Sequence, residues 1–376
     1  MTEIRIEVID DTKGLVALRK NWDALMEKAR HISVFSSWEW MSLWWKHYGT
    51  GHDLKVLVAL QEDNVVGILP LYVSRQRFSR YFNARILRLV GSGGDTSPDY
   101  LGPILGPGIE EAVCSRFAEY LLRVLDIWDV SNFTDILNTT PFHAALLSAC
   151  RMHGLSFQDG IPGNIQIFTL PSNWKDYLAS IPRERRYRHN SRRRKLTEKH
   201  AVRFFAWEST DTLDQAIDKL IALHRLRWQD RPDDQSFRSP EYLGFHREVI
   251  RICHERGWIR LYCLEIDGAI SAIYYCYLFR EELLYYQAGF DPAYEKYRPG
   301  HVLLGFIVEE AINQQYKVFD FLKGQYSFKS EWANGIQETR SLIIYRRTLP
   351  ALVYRSRYDT LPFMKRMIFR CLGIRR

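Results

Sequence analysis

Several common catalytic signatures are missing from this chain. No GxSxG, GxxxxGK[ST] or HExxH occurs, which removes the commonest serine-hydrolase, phosphate-loop and zinc-protease arrangements. GSGG at 91–94 lacks the GxGxxG spacing that opens a helix, so it is not a dinucleotide fingerprint. Cysteine is scarce, and Cys114, Cys150, Cys253, Cys263, Cys276 and Cys371 show neither CxxC nor Cys/His ligand spacing. They are expected as reduced core thiols, with no metal site. No long apolar run is uninterrupted either: Leu261 to Phe279, the most apolar stretch, contains Glu265 and Asp267. The N-terminal MTEIRIEVIDDTKG alternates charged and apolar residues and reads as neither a signal nor a transit peptide, so a cytoplasmic protein is expected.

The chain does have apolar mass and an uneven charge. Its 376 residues are 46% hydrophobic and 14% aromatic, enough for two cores of ordinary domain size. The net charge of +8 is concentrated in two places. Residues 183–195 hold eight basic side chains against Glu184, and 346–376 hold nine against Asp359, leaving the rest of the chain at −7. Their partners should be anionic: phosphate groups, acidic lipid or RNA, unless the first run is only a solvated helix face. In LPFMKRMIFRCLGIRR, an apolar stripe of Phe363, Met364, Met367, Ile368, Cys371 and Leu372 is flanked by basic residues. This suits peripheral contact with an anionic membrane or docking back onto the domain.

The densest stretch runs from Tyr285 to Trp332. LLYYQAG (283–289) reads as a buried strand and FDPAYEKY as a turn, and RPG (298–300) opens a helix from about His301 to Gln315. Pro299 suits a first helical turn and Gly300 permits close backbone approach. The N–H groups of His301, Val302 and Leu303 are then expected to face a phosphate, with Arg298 adding a charge-assisted bond. VFDFLKG (318–324) follows as a second, parallel strand, and Ser327, Phe328, Lys329 and Trp332 come directly after its glycine turn.

Together with RHNSRRRKL (188–196), LHRLRW (223–228) and RGWIRLYCLEIDGAISAIYYCYL (256–278), this stretch resembles the GNAT acyltransferase domain of FemAB-like and CelD-type proteins. The likeness covers about residues 185–335. It implies cellulose or exopolysaccharide biosynthesis as a setting, and acyl-CoA as co-substrate. In the superfamily an R/Q-x-x-G-x-G/A loop holds the coenzyme A pyrophosphate. Here Gly300 matches the first glycine, whereas Tyr297 stands at the Arg/Gln position and Val302 at the second small residue. The expected donor-binding set is Gly289, Phe290, Arg298, Gly300, His301 and Val302. Lys329 resembles the Lys of the family's Tyr-Lys pair, here Phe328-Lys329, and is expected to hold a phosphate or the tetrahedral oxyanion.

An internal echo suggests two such units. VLVALQEDNVVGILPLYV (56–73) and LYCLEIDGAISAIYYCYL (261–278) both read as apolar hairpins, turning at Asp63-Asn64 and Asp267-Gly268. The expected fold is α/β (α+β), two tandem GNAT-like units, each a mixed, mostly antiparallel sheet flanked by helices. Boundaries are expected at 1–170, 171–348 and 349–376, the last a basic amphipathic tail. In the first unit, Ser36-Ser37-Trp38-Glu39 reads as a capping box with Phe35 and Trp40 as a staple. Most rings of the helix it starts are core, and one or two, Trp38 among them, are candidates for stacking on a sugar. LVGSGGDTSPDYLGP (89–103) is a long polar loop. Its Asp95, Asp99 and Tyr100 are candidates for the acceptor, against a plain connection with capped turns.

Acyl transfer to an amine needs a neutral amine, a stabilised oxyanion and a protonated leaving group. Backbone N–H groups near the end of strand 283–289 can polarise the carbonyl, and Tyr326 can return a proton. Asp99 is the expected base, and His224 and Arg227 share a helix face at i, i+3. Three functions fit: acyl-CoA-dependent N-acyl transfer to an amino sugar or envelope precursor, aminoacyl-tRNA-dependent transfer of the FemAB kind, or a non-catalytic module at a membrane-bound polysaccharide synthase.

Overall fold

A computed structural model describes residues 3–80, 82–96, 98–229, 236–324 and 326–360, the last two without their side chains. The chain divides into two compact units, Met1–Pro162 with Thr339–Arg376, and Gly163–Glu338. The division thus falls eight residues before the expected 170/171, and the second unit ends ten residues before 348. Each shift has a reason in strand pairing, given below.

In the first unit β1 (Arg5–Ile9), β2 (Asp53–Gln61), β3 (Asn64–Ser79) and β4 (Phe82–Leu89) pair antiparallel in sequence order. β5 (Ile104–Leu105) adds to β3, and β6 (Val130–Leu137) lies parallel to β4 after a helical crossover. β7 (Ser156–Gly160) and β6 both pair with residues 339–345, which is why that segment belongs here. Tryptophan fills the core: Trp22, Trp40, Trp44 and Trp128 are fully buried. Ser37 caps the helix Trp38–Tyr48 by accepting from the Trp40 N–H, and Phe35 meets Trp40 edge-on at 4.8 Å. The capping box itself lies three residues earlier than expected, between Ser33 and Ser36, and caps the short turn Val34–Ser36 that precedes the helix. The helix Leu349–Arg355 packs Ala351 and Tyr354 on Ala84, Ile86 and Val130. The start of the tail is therefore docked on its own unit, while the apolar stripe from Phe363 to Leu372 lies outside the described residues.

In the second unit β8 (Asn164–Thr169) is followed by β9 (Val202–Ala206), β10 (Ile259–Ile266), β11 (Ala269–Phe279) and β12 (Glu282–Phe290). The last four form an antiparallel meander. β13 (Val318–Asp320) runs parallel to β12 and antiparallel to β8, and β14 (Gly335–Tyr345) pairs its first four residues with β8. Those bonds assign 164–169 to this unit.

The two hairpins match in their irregularities. Both turns are two residues long, closed by Gln61↔Asn64 and Ile266↔Ala269. Glu62 and Asp63 have φ of 49° and 64°, and Asp267 and Gly268 have 51° and 82°. The first turn is therefore Glu62-Asp63, not Asp63-Asn64, because positive φ at both central residues puts Asn64 into the strand. In each hairpin the register shifts two residues before the turn, at Ala59/Leu60 and at Leu264/Glu265. Each unit then adds a third antiparallel strand and a parallel crossover.

Two features of β12 set up a site. Its pairing with β13 covers only Glu282↔Val318 to Leu284↔Asp320, so from Tyr285 onward that edge has no strand partner among the described residues. On the sheet face, the helix Leu213–Arg227 comes so close that a Cβ on Gly289 would lie 2.4 Å from the His224 backbone nitrogen. At Gly300 the nearest atom to such a Cβ is 3.5 Å away, an ordinary contact. Gly289→Ala is expected to lower unfolding free energy in urea titration by about 2 kcal/mol and Gly300→Ala by well under half of that. Equal effects would contradict this packing.

Candidate functional site

The helix after β12 runs Pro299–Asn313 and is entered through Arg298, whose backbone is left-handed (φ 54°, ψ 57°). A non-glycine residue there costs about 1–2 kcal/mol, so the surrounding structure must hold it. The Arg298 carbonyl accepts from both His301 N–H (3.0 Å) and Val302 N–H (3.1 Å). This corrects the expectation that those two donors are free. Gly300 N–H keeps no acceptor among the described residues, and Pro299 has no N–H to give. The start of the helix is fixed to the sheet by Tyr274, whose buried hydroxyl donates to the Gly300 carbonyl at 3.2 Å.

Around this point lies a cavity of about 700 Å³. Arg227, Lys296 and Arg298 line it against a single acid, Glu295, while Trp228, Phe290, Phe328 and Tyr274 supply aromatic wall. The surplus of positive charge suits an anionic ligand. Arg227 sits between rings, 4.8 Å from the centroid of Trp228 and 5.1 Å from that of Phe290, and donates to the Ala288 carbonyl at 3.3 Å. That carbonyl points out of the open edge of β12, and the N–H of the same residue points the same way.

His301 also lines the cavity, as an uncharged side chain at neutral pH. Burial and the Arg192 guanidinium lower its pKa to about 4, and burial with Arg193 and Arg192 does the same to His189. A side chain on Gly305 would collide with the His189 ring, which packs edge-on against Trp174 and Trp332.

Lys329 does something other than expected. It is 1% exposed, and its Nζ donates to the carbonyls of Phe321 (2.7 Å), Leu322 (3.0 Å) and Lys323 (2.9 Å). An ammonium has three donors. With all three on the chain just past β13, Lys329 ties down that segment instead of offering a charge to a phosphate or an oxyanion. His224 is 1% exposed and packs edge-on against Phe237 at 5.1 Å, outside the cavity wall, although Arg227 one turn later is in it. Tyr326 is 45% exposed and stacks on Phe328, which lines the cavity. Val302 is buried in the core, and Gly289 serves packing. Of the expected donor set, Phe290, Arg298, Gly300 and His301 come together.

The acceptor candidates belong to the first unit. The Tyr48 hydroxyl donates to Asp95 at 2.5 Å, and the Trp44 indole N–H donates to Thr96 at 2.9 Å. Gly94 is pressed on the Tyr48 ring, so the loop is docked on the aromatic helix below it. Asp99 and Tyr100 are buried, Tyr100 with φ of 60°. Trp38 is elsewhere, donating to the Leu15 carbonyl at 3.3 Å under the Arg19 guanidinium.

The basic run forms the helix Arg183–Thr197. Arg192 bonds Glu331 at 3.2 Å and Arg193 bonds Glu309 at 2.7 Å, so these two charges are spent within the unit. Arg183, Arg194, Lys195 and the 64%-exposed Tyr187 face solvent. Among the described residues no helix is long and apolar enough to cross a membrane, and no three His, Cys, Asp or Glu side chains converge on a metal-sized site.

Sequence reasoning did not single out Tyr274, Trp228 or Lys296. Tyr274 is one of several tyrosines alternating along β11, and only the fold shows which hydroxyl reaches the helix start. Trp228 directly follows Arg227, and that adjacency was the available signal.

Comparison with known proteins agrees with this architecture. Residues 183–330 match the acetyltransferase (GNAT) domain. The chain resembles the crystal structure of FemX, with a TM-score of 0.61 at 10% identity over 93% of this chain and 99% of that one. It also resembles the C-terminal DUF2156 domain of a putative lysylphosphatidylglycerol synthetase from Agrobacterium fabrum, with a TM-score of 0.53 at 12% identity over 90% and 94%. A conserved protein of unknown function from Bacteroides thetaiotaomicron VPI-5482 gives 0.56 at 12% identity over 91% of this chain and all of that one. No curated protein matches the chain. The fold is a tandem of GNAT-like units and the second carries a GNAT-type acyltransferase domain. The CelD-type assignment has no support among these matches.

Two outcomes follow from the site. Lys329→Met removes an ammonium and orphans three carbonyls, so it is expected to cost about 3 kcal/mol of unfolding free energy. An unchanged denaturation midpoint would show that the carbonyl bonds carry nothing. His189 and His301 titrate near 6.5 when unfolded and near 4 when folded, so the unfolded chain binds more protons between those values. Stability should therefore fall as pH drops from about 6.5 to about 4, and His189→Phe should flatten that slope in pH-dependent thermal melts.

Proposed function

We propose that the second unit moves an acyl group from acyl-CoA to an amine acceptor, most simply an amino sugar or an envelope or exopolysaccharide precursor. The observation that carries this reading is the cationic, aromatic cavity at the start of the helix Pro299–Asn313, beside the open edge of β12. Acyl-CoA supplies a thioester carbonyl and a thiolate leaving group. Arg298, Lys296 and the Gly300 N–H fit its phosphates, fewer backbone donors than the sequence led us to expect but with more side-chain charge. Ala288 N–H, at the open edge of β12, is the donor in position to polarise the carbonyl. Transfer forms the amide C–N bond and breaks C–S, and the acceptor nitrogen loses a proton while the thiolate gains one. Tyr326, exposed and stacked against the cavity wall, is the proton donor of this account. Lys329 acts by holding the segment after β13, and Arg227 by binding substrate. Asp99, expected as the base for the acceptor, is buried in the first unit and is given no role at this cavity.

A second reading, transfer from aminoacyl-tRNA, is favoured by the solvent-facing Arg183, Tyr187, Arg194 and Lys195, which pair cationic charge with a ring able to stack on a base. Calorimetry separates the two. Acetyl-CoA is expected to bind the wild type, Arg298→Ala to bind about tenfold more weakly, and Gly300→Glu not at all. Failure of the wild type to bind overturns the acyl-CoA reading. Salt-sensitive tRNA binding lost on charge reversal of Arg183 and Arg194 would then favour the second.

A further inference from the structure

The outer strand of the second unit's sheet borders a depression with different chemistry. Among the described residues β9 pairs with β10 alone, and an open trough of about 510 Å³ is lined by β9, the β10–β11 hairpin and the segment leading into the helix Leu213–Arg227. Its charges cancel. Arg203 and Glu265 bind each other through two contacts of 3.2 and 2.6 Å, and Lys219 is offset by Glu208. Two rings, Phe205 and Trp207, stand 6.2 Å apart in the lining, neither fully buried. The indole N–H of Trp207 is shut off from solvent with no acceptor among the described residues, whereas the Ser209 and Thr212 side chains stand in the lining, Ser209 exposed and Thr212 partly so.

These features restrict the ligand. Balanced charge gives no field to attract a phosphate polymer or a cation. The partly exposed Trp207 ring calls for an apolar surface, the Arg203 guanidinium lies 4.4 Å from the Phe205 centroid and covers one face of that ring, and the Ser209 and Thr212 hydroxyls in the lining call for polar groups on the ligand. A pyranose ring meets both demands at once, with C–H groups on its faces and hydroxyls on its rim. We propose that this trough binds a neutral saccharide chain through Trp207 and Phe205, with Ser209 and Thr212 at the ring hydroxyls. The inference stands apart from the donor reading, since it holds whether or not the cavity at Gly300 takes acyl-CoA.

The test is 19F NMR on the full chain labelled with 5-fluorotryptophan, Trp207→Phe identifying the Trp207 resonance. Titration with cellotetraose and with chitotetraose is expected to move that resonance saturably with at least one of them, at a midpoint of about 1 mM. The double variant Ser209→Ala, Thr212→Val keeps every ring and should weaken binding by about threefold or more. It also keeps the test decisive if Trp207→Phe does not fold. No saturable shift of any tryptophan resonance up to about 20 mM of either sugar overturns the proposal. So does a shift caused by an extended apolar peptide and by neither sugar, which would assign the trough to strand addition at β9.

Discussion

Past Leu284↔Asp320 the strands β12 and β13 part, and the chain must then satisfy backbone groups that a longer ladder would have paired. Lys329 does this on the β13 side by donating to three successive carbonyls, and Arg227 does it on the β12 side by reaching the carbonyl of Ala288. Two cations therefore hold a gap in a sheet open. Each is kept in place by aromatic neighbours as well as by carbonyls: Tyr285 and Tyr326 around Lys329, Trp228 and Phe290 around Arg227. The cavity at Gly300 lies where the strands separate, and one of the two cations, Arg227, faces into it beside Lys296 and Arg298.

The division of labour between the lysine and the arginine follows from burial. Lys329, almost wholly enclosed, spends all its donors on the protein and stabilises a shape. Arg227, half-buried at the end of its helix, bonds the Ala288 carbonyl and the Tyr285 side chain and still lines the cavity with its guanidinium. Histidine shows the same contrast with electrostatics added. His301 and His189 stay neutral because burial and nearby guanidinium groups oppose a further positive charge. The cationic character of the site thus comes from Arg227, Lys296 and Arg298 and not from histidine.

Much of the architecture was legible in the sequence. The order strand, turn, Pro-Gly helix start, helix and second strand in 283–324 survives almost unchanged, because each boundary carries its own local signal. The echo between 56–73 and 261–278 extends to the bulges, although the first turn is one residue earlier than its Asp-Asn pair suggested, since bulge and register together decide which residues take positive φ. What could not be read was the direction of single side chains. Nothing in SFKSEW says that Lys329 turns inward to carbonyls, and nothing in RPGHV says that the Arg298 carbonyl takes two N–H groups. Those outcomes depend on where a strand pair ends, which is a tertiary fact. The unit boundaries moved for the same reason: 164–169 and 339–348 each follow their pairing partners.

The claim at the centre of this account is that an anionic donor seats at the start of the helix Pro299–Asn313, and difference density from a crystal soaked with acetyl-CoA tests it most directly. Phosphate density is expected within hydrogen-bond reach of the Gly300 N–H and the Arg298 guanidinium, with the thioester directed toward the open edge of β12. Ordered acetyl-CoA elsewhere on the protein, with nothing at Gly300, would contradict it.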